Sequence, residues 1–87
     1  MEKTEAELVL HSVKNGNVYY LFSDRIEIKG DIEGCIELPH QDKARCFYDM
    51  YYVNDTLHVI LNTYGIYDVD YILDENTTGL YRKGYTK

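Results

Sequence analysis

The run from Phe47 to Leu73, FYDMYYVNDTLHVILNTYGIYDVDYIL, leaves a chain of this kind few ways to fold. Tyr, Val, Ile, Thr and Phe dominate it, and branched or aromatic side chains fit a pleated surface better than a helix. The run breaks at Asn54-Asp55 and again at Tyr64-Gly65, where turn chemistry is at hand. Three successive strands joined by two tight turns follow. Within Thr56 to Thr63, alternation puts Leu57, Val59 and Leu61 on one face and His58, Ile60 and Asn62 on the other. From Ile66 to Asp74, Tyr67, Val69, Tyr71 and Leu73 oppose Ile66, Asp68, Asp70 and Ile72, and the mixed second set reads as the outer face.

The rest of the chain extends the pattern. Glu7 to Lys14 reads as a first strand, followed by Asn15-Gly16, the pair that a type I′ hairpin turn prefers because both central residues need positive φ. Val18 to Ser23 is apolar on both faces until its last residue, as in a strand covered on both sides or one that lends a face to a partner. Ile26 to Lys29 alternates cleanly, and Cys35 to Leu38 resumes the alternation after breaks at Gly30-Asp31 and Glu33-Gly34. Pro39 ends that strand, and the turn formers of Asp74 to Gly79 lead to a last one, Leu80 to Tyr85. Arg82, Lys83 and Lys87 are expected to pair across it with the acids of the preceding strand. The fold class is therefore all-β, a small antiparallel meander of seven or eight short strands, closed into a barrel or folded into a two-layer sheet. The alternative is α+β with a short helix at about 41–52, since Ala44, Phe47, Tyr48 and Tyr51 fall at helical spacing; the β-formers of FYDMYYV favour the strand. At 87 residues the chain reads as a single domain, 1–87, with 1–6 a charged, fraying start.

Charge narrows the partners. With 9 basic against 15 acidic residues and a net charge of −6, the chain is repelled by nucleic-acid phosphates and anionic membranes, which bind through Lys and Arg. The start MEKTEAELVLHS has acids where a secretory signal carries a basic and then a long apolar segment, so a cytoplasmic location is expected. Cys35 and Cys46 form neither a CxxC pair nor a zinc pattern and read as free thiols. His11, His40 and His58 lie far apart with no ligand spacing beside them, and the acids Asp68, Asp70, Asp74 and Glu75 lack the glycine-centred loop of a calcium site. Cys35 or Cys46 with His40 has no third group to orient a base, and nothing marks a carboxylate pair such as Glu33 and Glu37, or Asp49 and Asp68, for burial. No enzyme activity, metal or cofactor is expected, and the acid run reads as a solvated face.

Tyrosine carries the functional signal. Tyr48, Tyr51, Tyr52, Tyr64, Tyr67 and Tyr71 crowd the central run, and a small core cannot house them all because each buried hydroxyl needs a partner. Exposed Tyr offers large contact area at low entropic cost and is enriched at protein interfaces. The expectation is a non-enzymatic binding module, of inhibitor or adaptor type, that meets a protein partner through a Tyr-rich face rimmed by Asp49, Asp68 and Asp70. Two other readings compete with it. One is a nucleic-acid mimic whose acids fill the basic groove of a nucleic-acid enzyme; the other is a small-ligand binder in a barrel mouth. The two-sided strand at Val18 to Phe22 adds the expectation of a homodimer.

Overall fold

The computed structural model describes residues 6–86. Eight strands follow one another: β1 (Leu8–His11), β2 (Val18–Leu21), β3 (Arg25–Lys29), β4 (Gly34–Glu37), β5 (Ala44–Val53), β6 (Thr56–Thr63), β7 (Asp68–Asp74) and β8 (Gly79–Thr86). They form two antiparallel sheets of four strands, β1-β2-β3-β4 and β5-β6-β7-β8, each a meander whose neighbours are consecutive in sequence. The expected start at 1–6 lies outside the described residues apart from Ala6, which is half-buried, and Lys87 also lies outside them.

The sheets do not close into a barrel. β4 and β5 are consecutive but unpaired. Between them Pro39 offers no N–H to continue a ladder, and Asp42 and Lys43 adopt left-handed φ values of 59° and 54°, which swings the chain from one layer to the other. The segment 41–52 contributes a strand and no helix. β5 accommodates its helix-like spacing with two irregularities, at Ala44/Cys46 and Phe47/Asp49, so that Phe47 and Met50 both reach the core although they are three apart.

The core lies between the layers. Tyr19, Leu21, Ile26 and Ile28 come from the first sheet, and Phe47, Met50, Leu57, Val59, Leu61, Val69, Tyr71 and Leu73 from the second. These are the alternating positions expected for β3, β6 and β7. β2 buries Tyr19 and Leu21 and leaves Val18 and Tyr20 half-covered, because it sits inside its sheet between β1 and β3. A backbone bond from Phe47 N–H to the Ser23 carbonyl, 2.8 Å, ties β5 to the turn between β2 and β3.

The hairpin turns fall differently from expectation. Asn54 and Asp55, with φ of 50° and 67°, form the two-residue turn that closes Val53 on Thr56. Asn15-Gly16 does not: β1 ends at His11, β2 begins at Val18, and neither residue has positive φ. The intervening loop is held by its own side chains. Ser12 Oγ accepts from the N–H groups of Lys14 and Asn15 at 3.0 and 3.1 Å, and Asn15 Oδ1 accepts from Asn17 N–H at 2.9 Å. The loop also docks on the one that follows β3, where Asp31 accepts from Gly16 N–H at 2.8 Å and the buried Asn17 accepts from Ile32 N–H at 2.9 Å.

Of two polar networks, that of Glu75 joins the layers and that of Asp42 ties the β4–β5 connection to the second sheet. Glu75 is buried, and its Oε1 accepts from Ser12 Oγ at 2.6 Å, Tyr19 OH at 2.8 Å and Tyr52 OH at 3.0 Å. Tyr52 OH in turn accepts from Val13 N–H at 3.2 Å. At the other end Asp42 accepts from Tyr71 OH at 3.0 Å and from Arg82 Nε at 2.9 and 2.8 Å. Arg82 thus pairs with Asp42, and not with the acids of β7 as expected, because register sets it opposite Tyr71. Among the described residues no buried side-chain polar atom is left without a partner.

These networks make the fold sensitive to alkali. Burial first, and then the hydrogen bond and charge of Asp42, push the Tyr71 hydroxyl up to about 12, and burial raises those of Tyr19 and Tyr52 as well. An unfolded Tyr ionises near 10. A phenol whose folded pKa lies higher contributes stability in full below pH 10 and loses it as pH rises through about 12. Thermal melts across that window are expected to show a steep fall in melting temperature, shallower for Tyr71→Phe. A flat profile would remove the hydroxyls from the stability balance.

Candidate functional site

Register divides the candidate tyrosines into three groups. Tyr52 and Tyr71 point between the layers, and their hydroxyls are taken by Glu75 and Asp42. They are structural, contrary to their expected place on a binding face, because each lies in phase with core positions: Tyr52 opposite Leu57, and Tyr71 opposite Val59.

The second group lies on the outer face of the β5-β6-β7-β8 sheet. One rung runs Tyr51, His58, Ile72, Tyr81 across all four strands, and the next runs Asp49, Ile60, Asp70, Gly84. Tyr51 stacks on the His58 ring at 5.7 Å, and His58 Nδ1 lies 3.0 Å from both Asp70 oxygens. Burial, then the charges of Asp70 and Asp49, raises the Tyr51 hydroxyl above its ordinary value. The acids are engaged within the sheet. Asp49 accepts from Met50 N–H at 2.9 Å, Asp68 accepts from Asn62 Nδ2 at 2.9 Å, and Asp70 holds His58. Tyr48 is exposed at the β5 irregularity.

Glu75 leaves the expected acidic face altogether. It continues the inward phase of Val69, Tyr71 and Leu73 one step past the strand, a signal already present in the alternation. Asp74 serves the β7–β8 turn, accepting from the N–H groups of Asn76 and Thr77 at 2.8 and 3.3 Å. Among the described residues no three His, Cys, Asp or Glu side chains gather to hold a metal ion. Cys35 and Cys46 are free thiols, in different sheets. Among the described residues no helix is long and apolar enough to cross a membrane.

The third group forms a tip at the β6–β7 connection. Tyr64, Gly65, Ile66 and Tyr67 bridge Thr63 to Asp68, so Ile66 and Tyr67 belong to the turn and not to the strand. Thr63 Oγ1 shapes the turn by donating to the Tyr67 carbonyl at 2.8 Å and accepting from Gly65 N–H at 3.1 Å, and Tyr64 N–H donates to the Lys43 carbonyl at 3.0 Å. The outcome is an apolar cluster in water: Ile66 is 90% exposed, Tyr64 74%, Tyr85 65% and Tyr67 47%. Tyr67 and Tyr85 meet at 6.1 Å in a tilted arrangement. With Asp42, Lys43, Thr63, Gly65 and Ile66 they line an open cleft of about 450 Å³.

Cations flank the rings. The Arg82 guanidinium sits 4.9 Å from the Tyr85 ring centre and that of Arg45 6.0 Å from the Tyr64 ring centre. The left-handed backbone at Asp42 and Lys43 borders the same cleft, where the Asp42 bonds to Tyr71 and Arg82 hold it. Sequence reasoning found Tyr64 and Tyr67 but missed Ile66, Tyr85, Lys43, Arg45 and Arg82. Only pairing across β7 and β8, with Val69 opposite Tyr85, brings the last strand to the tip. The chain matches no protein-family model, no curated protein and no solved structure.

Proposed function

We propose that this chain is a small non-enzymatic protein-binding module, of inhibitor or adaptor type, that docks on its partner through the tip formed by Tyr64, Ile66, Tyr67 and Tyr85. The observation that carries the reading is the exposure of Ile66, at 90%, in the same turn as exposed Tyr64 and Tyr67 and beside Tyr85 across the cleft lining. Burying one such aliphatic side chain contributes roughly 1.5 to 3 kcal/mol, so a partner that covers the cluster gains several increments at once. Tyr and Arg are the residue types enriched at interface hot spots, and Tyr64 and Tyr85, flanked by Arg45 and Arg82, supply both here.

The tip replaces the acid-rimmed face as the docking surface. Tyr52 and Tyr71 are withdrawn from that face, and Asp49, Asp68 and Asp70 already hold partners of their own. The same engagement weakens the nucleic-acid mimic, which needs acids free to meet a basic groove. With two open sheets there is no barrel mouth for a small ligand.

Affinity capture followed by titration of the recovered partner tests the reading. Tyr64→Ala and Tyr67→Ala are each expected to weaken binding by about 2 kcal/mol or more, and Asp49→Asn and Asp68→Asn by less than about 1 kcal/mol. Affinity should change little with salt. The reverse ranking, with a steep salt dependence and a nucleic-acid enzyme as the partner, would replace the tip by the mimic.

A further inference from the structure

The tip does not share the charge of the chain. Overall the protein carries −6, yet Lys43 lines the cleft, Arg45 and Arg82 flank Tyr64 and Tyr85, and Lys83 lies two residues before Tyr85 on β8, four of the nine basic residues in all. Three acids stand near them. Asp42 is neutralised by Arg82, Asp68, at the start of β7, is turned to the outer face where it accepts from Asn62, and Asp70, opposite Gly84, is held by His58. Among the described residues neither Lys43 nor Arg45 forms an ion pair, and Lys83 is exposed beside Gly84. The end of the molecule that exposes its apolar cluster is therefore also the end where cations outnumber acids.

From this juxtaposition we infer that the partner segment received at the tip is an acidic peptide, with Asp or Glu side chains meeting Lys43, Arg45 and Lys83 while an apolar side chain covers Ile66 between Tyr67 and Tyr85. The inference rests on the tip being the docking surface. Charge complementarity selects the occupant. Like charge disfavours a second copy docked tip to tip, since it would set Lys43 and Arg45 against their own counterparts. A long single-stranded nucleic acid could stack on the tyrosines, but beyond the tip its phosphates would run onto the face of Asp49, Asp68 and Asp70. A short acidic segment ends before it reaches them. The Arg45–Tyr64 contact suits this role, because a guanidinium braced by a ring and outside any ion pair among the described residues can turn its N–H edge to a carboxylate.

The test uses the full chain labelled with ¹⁵N and three probes: a short synthetic peptide of alternating Glu and Leu, its Lys and Leu counterpart, and oligothymidylate. Amide shifts recorded during titration at low and at physiological salt should move only with the Glu peptide, at Lys43 to Arg45, Tyr64 to Asp68 and Lys83 to Tyr85. Lys43→Gln combined with Arg45→Gln removes two exposed charges outside both buried networks, so an unchanged spectral dispersion is expected alongside binding weakened by tenfold or more. Equal response to the Lys peptide, no response to either peptide, or tighter binding of oligothymidylate would each overturn the inference. If Tyr64→Ala and Tyr67→Ala still abolish capture of a protein partner while the Glu peptide fails, the acidic preference falls and the docking surface stands. If the Glu peptide binds at those amides but the Tyr substitutions leave protein capture intact, the proposed docking function falls instead.

Discussion

Glu75→Ala is expected to cost about 3 kcal/mol or more and to lower the melting temperature by roughly 15 °C. The carboxylate receives the hydroxyls of Ser12, Tyr19 and Tyr52, which come from three different parts of the chain, and Tyr19 is wholly buried. Alanine leaves the Tyr19 hydroxyl with only a 3.5 Å contact to Asn17 Nδ2 and opens a void where the acid stood. Glu75→Gln keeps the volume and one acceptor oxygen, but that neutral oxygen alone must serve the three hydroxyls while the amide N–H group replaces the second acceptor facing Tyr52 OH. A loss of about 1 to 2 kcal/mol is expected for it, and a similar one for Tyr19→Phe. Urea unfolding followed by tyrosine fluorescence orders the three. A Glu75→Ala protein within 1 kcal/mol of wild type would show that the network orients the sheets without stabilising them.

Gly30→Ala is expected to be at least as damaging, by a purely steric route. Gly30 holds φ at +132°, a region that side chains avoid, and an added Cβ would stand 2.2 Å from the Gly16 carbonyl oxygen and 2.8 Å from Asn17 Cα. Both obstacles are backbone, so no rotamer change relieves them. The loop from Ser12 to Asn17 would have to leave its dock, breaking the bonds from Gly16 to Asp31 and from Ile32 to Asn17. A loss of more than about 3 kcal/mol is expected. Gly34→Ala provides the control: its added Cβ meets nothing within 4 Å, and its stability should stay within about 0.5 kcal/mol of wild type. Equal stabilities for the two variants would mean that the two loops are not pressed together in solution.

The strands of the second sheet were legible because alternation alone separates Leu57, Val59 and Leu61 from their neighbours, and the burial of both faces of β6 follows from its place between β5 and β7. The turns were less so. Asn15-Gly16 has the better hairpin composition, yet the Ser12 hydroxyl and the Asn15 amide spread the reversal over a wider loop, while the less favoured Asn54-Asp55 pair adopts the tight turn. The preference of the Asn15-Gly16 pair lost there to the loop's own side-chain bonds and to its dock on the loop after β3. The irregularities in β5 were invisible for a similar reason: they exist to bring Phe47 and Met50 to the same side, a demand made by the opposite layer. Half of the tip, Tyr64 and Tyr67, could be read directly. Tyr85 and Arg82 reach it through the register of β8 with β7, which depends on an irregularity at Asp70/Tyr71.

The division of the chain at β4 and β5 has a kinetic consequence. Since each strand pairs only with the ones beside it in sequence, both sheets can zip from short hairpins without closing a long loop. What remains is the meeting of two contiguous halves, and the bonds from Glu75 back to Ser12 and Tyr19 belong to that step. A chain severed between Pro39 and Asp42 would thus carry all the information for either layer on its own piece, and reassembly of the pieces would report on the seam alone.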